Sequence, residues 1–264
     1  MADVTAGGVR FHVQRLAARH PASARPVHPV VLIHGLGMDN LSSFYFTLAN
    51  PLANAGADVI LYDLRGHGLS ERPRTGYQVS DSVADLAALL DALGVEGPVH
   101  LVGNSYGGTV ALGFAVAHPE RVASMVLVEA HFSVAGWAEQ IVTERDRIGS
   151  ANEWRGWLDQ LGRKVVRLLD MADDLLNRTT FLADLKTVRP IPMSQLSTLR
   201  CPVRAVYGEH SDVVDYARQL NDHLPQCVLT VLPGCGHSVL MDATVALREI
   251  VLDWFATQAS VNAR

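Results

Sequence analysis

The chain has 264 residues, 48% of them apolar, and a formal net charge of −5. That length and composition support one large domain with a substantial core and argue against a disordered chain. The acidic balance, without a basic stripe, argues against a nucleic-acid partner, and no apolar run approaches the roughly 18 residues of a membrane span.

The first residues, MADVTAGGVR, lack the basic-then-apolar pattern of a secretion signal. Val9 to Leu16 begins with alternation at Val9, Phe11 and Val13, the pattern of a half-exposed strand. Ala17 to Pro29 holds three prolines and reads as a loop. Val30 to Ile33 is a short continuous apolar run, expected of a strand buried on both faces, and it ends in His34-Gly35-Leu36-Gly37. Phe44 to Leu52 is expected to be a helix, broken near Pro51 and Gly56. Val59 to Tyr62 is the next buried strand, closed by Asp63-Leu64-Arg65-Gly66-His67-Gly68-Leu69-Ser70. Val83, Leu86, Leu90 and Leu93 recur at helical spacing and Gly94 ends that helix.

Val99 to Val102 then leads into Gly103-Asn104-Ser105-Tyr106-Gly107-Gly108, followed by a helical run from Thr109 to Ala117 that Pro119 terminates. Gly-x-Ser-x-Gly between a strand and a helix describes a turn so tight that its middle residue is forced into a strained backbone conformation. Glycines two before and two after remove the Cβ atoms that would clash. The serine then stands clear of the sheet, at the positive end of the following helix.

Met125 to Val128 is another strand. From His131 to Arg200 the rhythm changes: there is no strand signal, several helical stretches occur, and three of the four tryptophans fall here, Trp137, Trp154 and Trp157. Alternation resumes with a strand at Val203 to Tyr207, a helix at Tyr216 to Leu224 and a strand at Val228 to Leu232. A last helix carries Leu247, Ile250, Val251 and Trp254 on one face. Strands alternating with helices imply crossover units and a mainly parallel sheet covered on both faces. Residues 131–200 read as a helical insertion at the C-terminal edge of that sheet, where open α/β sheets bind ligands.

A serine hydroxyl needs a base within hydrogen-bond reach, and the base needs a group that fixes its tautomer and stabilises its charge. Gly208-Glu209-His210-Ser211-Asp212 follows one strand and Gly234-Cys235-Gly236-His237 follows the next, so Asp212 and His237 fall on the same edge as Ser105. Each alone has a plainer reading, the aspartate as a turn or cap residue and the histidine as structural. Together and in this order they form a triad. Glu129, at the end of the preceding strand, is the rival acid, and Glu209 reads as a turn residue. The oxyanion that develops needs preplaced donors. These are expected to be the backbone N–H of Tyr106, directly after the nucleophile, and that of Leu36, in the loop after the first buried strand. A phosphate cradle at Gly35 and Gly37 lacks its lysine and fits neither GxGxxG nor GxxxxGK[ST].

HGLG, DLRGHGLS, GNSYGG, GEHSD and GCGH, in this order, make the chain resemble the α/β-hydrolase superfamily over nearly its whole length. The resemblance implies an eight-stranded, mainly parallel sheet with helices on both faces. It also implies a core from 1–130 and 201–264 and a helical cap at 131–200. DLRGHGLS looks like that of the lidded esterase, haloperoxidase-like and epoxide-hydrolase-like branches, where it builds a turn near the sheet edge, so Asp63, Arg65 and His67 are expected to be structural. Epoxide hydrolases and haloalkane dehalogenases carry aspartate where Ser105 stands. Asn104 in GNSYGG is similar to the C–C bond hydrolases of aromatic-ring degradation, but those usually place tryptophan directly after the histidine, where this chain has Ser238.

The expected function is hydrolysis of a carboxylic ester, thioester or lactone through an acyl-enzyme. Ser105 is the nucleophile, His237 the base, Asp212 its partner, and the Leu36 and Tyr106 amides the oxyanion donors. Trp137, Trp154 and Trp157 are expected to line an apolar acyl pocket, with no arginine among Arg145, Arg147 and Arg155 pointing at Ser105. The alternatives are a C–C hydrolase with the same triad and a non-catalytic ligand-binding homologue. No cofactor is expected, and no metal, since the histidines lack HExxH or comparable spacing. The expected partner is a small-molecule acyl substrate, with no membrane. Three cysteines, Cys201, Cys227 and Cys235, without CxxC spacing fit a cytoplasmic location and reduced thiols.

Overall fold

The computed structural model describes residues 2–19, 28–131 and 163–261. One eight-stranded sheet runs through it in the order β1-β2-β4-β3-β5-β6-β7-β8. The strands are β1 (Ala2–Ala6), β2 (Val9–Leu16), β3 (Val30–Ile33), β4 (Val59–Tyr62), β5 (Val99–Asn104), β6 (Val122–Val128), β7 (Val203–Gly208) and β8 (Cys227–Leu232). β1 and β2 pair antiparallel, as do β2 and β4, and every later pairing is parallel. The fold class is as expected from the alternating strand and helix patterns.

All four residues of β3 and of β4 are buried, as are the first five of β5, because helices cover both faces of the sheet. One core lies between the sheet and the helices Val79–Ala92 and Tyr106–Ala117, and includes Phe11, Ile33, Leu86, Leu101, Val110 and Phe114. The opposite core holds Leu32, Phe44, Leu48, Leu61, Val126, Leu247 and Val251, under the helices at 42–54 and Thr244–Val261. β3 lies between β4 and β5, so the chain winds outward in both directions from it. That switch point opens a crevice at the carboxyl ends of β3 and β5.

Two local features depart from the sequence reading. β1 was not expected: it folds back on β2 through Gly7 and Gly8, both at positive φ, in a two-residue connection that glycine tolerates at no steric cost. The helix expected to break near Pro51 continues through it, as Ser42–Phe44, a wider π-type turn at Tyr45–Ala49, and Asn50–Asn54. Pro51 lacks an N–H and crowds the carbonyl four residues back, and the wide turn directly before it gives the ring room.

In the segment after β6, the described helices are Arg163–Arg178, Phe181–Thr187 and Met193–Leu196. The first two dock on the stretch after β4. Phe181 packs edge-on against Tyr77 and His67, Tyr77 N–H donates to Asp184 Oδ2 at 2.9 Å, and Arg72 faces Asp174 at 3.6 Å. Trp137, Trp154 and Trp157, and the arginines Arg145, Arg147 and Arg155, lie outside the described residues.

Candidate active site

Ser105 stands between β5 and the helix Tyr106–Ala117 with φ 52° and ψ −117°. Close packing on three sides enforces this turn. A Cβ on Gly103 would overlap the Gly107 carbonyl, one on Gly107 would overlap the Ile33 carbonyl, and one on Gly108 would meet Ala130 Cβ. The Ser105 N–H is tied to the Val128 carbonyl at 2.8 Å, which locks the turn to β6. Strained backbone of this kind costs about 1–3 kcal/mol and persists only where its surroundings over-determine it.

Asp212 follows β7 and His237 follows β8, and the tertiary fold brings both to Ser105. Ser105 Oγ lies 3.1 Å from His237 Nε2, and His237 Nδ1 lies 3.1 Å from Asp212 Oδ1. Gly208 makes the last approach possible, because a Cβ there would overlap the carbonyls of Cys235 and Gly236. The two loops are cross-linked by His210 N–H donating to the Cys235 carbonyl at 2.8 Å, and by Gly234 N–H donating to Glu209 Oε2 at 3.0 Å. Glu209 is thus the turn residue it was expected to be. The Cys235 sulfur faces the Pro233 carbonyl, and all three cysteines are free thiols.

Glu129 also reaches His237. Its Oε2 is 3.5 Å from His237 Nδ1, and its side chain is fully buried, whereas that of Asp212 is 66% exposed. Glu129 Oε1 accepts the Gly208 N–H at 2.5 Å, and Oε2 accepts the Ser211 hydroxyl. Burial pushes the Glu129 carboxyl above its ordinary range, opposed by those two donors and by His237. Nearby His131 is buried and held down to about 4 by desolvation.

The loop after β3 is shaped by four side chains. His34 Nε2 accepts Leu64 N–H at 2.9 Å, so its Nδ1–H donates to the Gly35 carbonyl at 2.6 Å. Gly35 N–H donates to Asp39 Oδ2 at 2.7 Å, and Gly37 N–H donates to His67 Nε2 at 3.1 Å. The neighbours of Leu36 are therefore both committed, while its own N–H has no partner among the described residues. Tyr106 N–H opens a helix and so has no acceptor within it. His67 is kept neutral by burial, its pKa lowered to about 3, which suits an acceptor for Gly37. Asp63 accepts Leu41 N–H and Leu69 N–H at 2.8 Å each, and Arg65 forms a buried pair with Asp85. The DLRGHGLS stretch thus builds the turns that carry the site.

Asp39 was missed in the sequence reading. A Cβ on Gly35 would lie 3.1 Å from Asp39 Oδ2 and 3.5 Å from both Asn104 Nδ2 and Ser105 Cβ, so Gly35 lies between this carboxylate and the serine turn. Its only sequence signal is its place four residues after Gly35.

This strand-turn-helix with its serine, inside a sheet of this order, defines a class. Residues 28–148 match the model of the alpha/beta hydrolase fold family. The chain is 37% identical to a 2-hydroxy-6-oxo-2,4-heptadienoate hydrolase of Pseudomonas putida, over 97% of this chain and 96% of that one. It is 42% identical to a 2-hydroxy-6-oxononadienedioate/2-hydroxy-6-oxononatrienedioate hydrolase of Paraburkholderia phymatum, over 85% of this chain and 86% of the other. Its fold superimposes on the esterase EaEST from Exiguobacterium antarcticum with a TM-score of 0.75 at 19% identity, covering 97% of this chain and 99% of that one. The chain belongs to the α/β-hydrolase fold superfamily, and its relatives support a hydrolase.

Proposed function

We propose that this protein is a serine hydrolase of small-molecule acyl compounds, cleaving a carboxylic ester, thioester or lactone through an acyl-enzyme on Ser105. The observation that carries the reading is the hydrogen-bonded line from Ser105 Oγ through His237 to Asp212, with 3.1 Å at each step. Ser105 Oγ attacks the carbonyl carbon as His237 Nε2 takes its proton. The tetrahedral oxyanion forms beside the Leu36 and Tyr106 N–H groups. Its collapse breaks the bond to the leaving oxygen or sulfur, which takes the proton from His237. Water then repeats the sequence and releases the acid. On this reading residues 131–200 are the cap on a core of 1–130 and 201–264, and Trp137, Trp154 and Trp157 are its candidate acyl-binding residues.

The carboxylates favour an acyl substrate of low charge. Asp212 and Glu129 face His237, and Asp39 holds the N–H of Gly35 in the loop beside Ser105. Among the described residues no arginine bonds to Ser105, Asp39, Asp212 or His237. A ring-fission diketone would bring its own carboxylate and dienolate into that field, where like charges repel.

A second reading has its own support. C–C hydrolysis of ring-fission diketones by the same triad is favoured by the names of the two relatives and by Asn104. One assay separates the readings, pairing a medium-chain aryl ester and an acyl thioester with a ring-fission diketone. Turnover of the ester or thioester is expected. Turnover of the diketone with the esters untouched selects the C–C reading, and no product burst with any of them selects a ligand-binding homologue.

A further inference from the structure

The environment of Glu129 is more elaborate than a core carboxylate needs. It is fully buried, yet it directs Oε2 at His237 Nδ1 from 3.5 Å. It holds φ at 52°, a region that disfavours a side chain, so the fold spends backbone strain to present it there. Donors from two positions of one neighbouring segment, Gly208 N–H and the Ser211 hydroxyl, fix both of its oxygens. Asp212 approaches the same nitrogen from the solvent side, with 66% of its side chain exposed.

We propose that Glu129 is a second positioning carboxylate, which shares the Nδ1 side of His237 with Asp212 and stabilises the imidazolium from the buried side. The inference rests on the serine-hydrolase reading above. Asp212 supplies the shorter contact but sits in water, where a charge is screened. Glu129 is slightly farther away but acts through protein, where the effective dielectric is lower and the same charge counts for more. Desolvation opposes its ionisation, and the Ser211 and Gly208 donors and the His237 charge favour it. Each charge thus acts on the other across the 3.5 Å between them. The other titratable groups facing this cluster among the described residues are Asp212, His131 after β6 and Tyr207 on β7. Tyr207 sends its hydroxyl to the Ala130 carbonyl.

The test is independent of the natural substrate. The second-order rate of Ser105 labelling by a fluorophosphonate is measured across pH for wild type, Ser105→Ala, Asp212→Asn, Glu129→Gln and the double acid variant, with thermal melting as a check on folding. Where one acid serves the histidine, its amide costs about 10⁴-fold. Here Asp212→Asn is expected to cost far less, about 10–100-fold, and Glu129→Gln about 10-fold, each removing one of two anions. The double variant is expected to lose more than the product of the two. Glu129→Gln is further expected to move the acid limb of the rate profile to lower pH, and Glu129→Asp to restore part of the shift. A merely structural Glu129 would change the melting temperature and leave that limb in place. If Glu129→Gln does not fold, Ser211→Ala is read instead, and it is expected to move the limb the same way by less. A single loss of about 10⁴-fold in Asp212→Asn, with the Glu129→Gln or Ser211→Ala profile unmoved, overturns the proposal. Failure of wild type to label, or labelling of Ser105→Ala, overturns the underlying reading instead.

Discussion

Ser105 and Glu129 both hold φ at 52°, and they follow immediately on adjacent parallel strands whose last paired residues are Asn104 and Val128. The Ser105 N–H donates to the Val128 carbonyl, so the strained serine turn is tied to the residue just before the strained glutamate. Both side chains then face His237, which arrives from β8. The pairing of β5 with β6 thus sets two groups of the site in one stroke.

Removal of the Ser105 hydroxyl or the His237 imidazole gives the first prediction. Ser105→Ala and His237→Ala are each expected to lower kcat by several orders of magnitude, leaving about 10³–10⁴-fold over water from oxyanion donors and binding alone. The double variant is expected to be scarcely worse than either single one, since the two act as a unit. Steady-state kinetics on the best ester of the substrate panel checks this.

The second prediction concerns the turn itself. Gly107→Ala drives a methyl group into the Ile33 carbonyl, while Gly97→Ala meets nothing within 4 Å. Gly107→Ala is expected to lower both the melting temperature and the activity, and Gly97→Ala to stay within about 0.5 kcal/mol of wild type. Denaturant titration of both separates steric demand from a general cost of losing glycine.

A third prediction concerns the Arg65–Asp85 pair, whose side chains are only 12% and 5% exposed. Asp85→Ala leaves a buried guanidinium without its carboxylate and is expected to cost about 3–5 kcal/mol. Arg65 also donates to the Gly76 carbonyl, so the loss is expected to loosen the stretch on which Phe181 and Asp184 dock. Urea midpoints and proteolysis near residue 76 report the two effects.

The fourth prediction follows from buried histidines. Burial lowers the pKa of His100 from 6.5 to about 4, so the folded chain binds fewer protons there than the unfolded chain between those values. Stability from this group is complete above about pH 6.5 and is lost as pH falls toward 4, at up to about 1.4 kcal/mol per pH unit. His100 bonds to Ser124 near the amino ends of β5 and β6, whereas Ser105 and Glu129 follow their carboxyl ends. His100→Gln is expected to flatten that part of the pH–stability curve and leave ester turnover at pH 8 unchanged. An unaltered slope counts against the assignment.

Much of the site is legible in the sequence because each part is a local pattern. Gly103 and Gly107 around Ser105 announce a turn that only glycine allows, and the apolar runs at 30–33, 59–62 and 99–102 announce strands buried on both faces. Asp212 and His237 are found because each lies in the loop after a strand-like apolar run. Asp39 and the reach of Glu129 are less legible, since nothing in their neighbours' periodicity reports which atoms they meet. β1 is short and half exposed, so its alternation is weak, and the Gly7-Gly8 signal beside it is its clearest mark. The helix through Pro51 is misread because a proline normally stops one, and the wide turn that accommodates it leaves no trace in composition.

The sequence by itself determined the alternation of strands and helices from β2 onward, the strained serine and the edge on which the other candidates fall. These follow from hydrophobic period and from backbone sterics, which act between residues close in the chain. The tertiary structure alone decided that Ser105, Asp212 and His237 meet at 3.1 Å, and that a buried glutamate faces the same imidazole as an exposed aspartate. Those distances depend on strand order and on close approaches such as Gly208 against Cys235. Contacts across 80 or 130 residues are fixed by packing in three dimensions, and no local pattern encodes them.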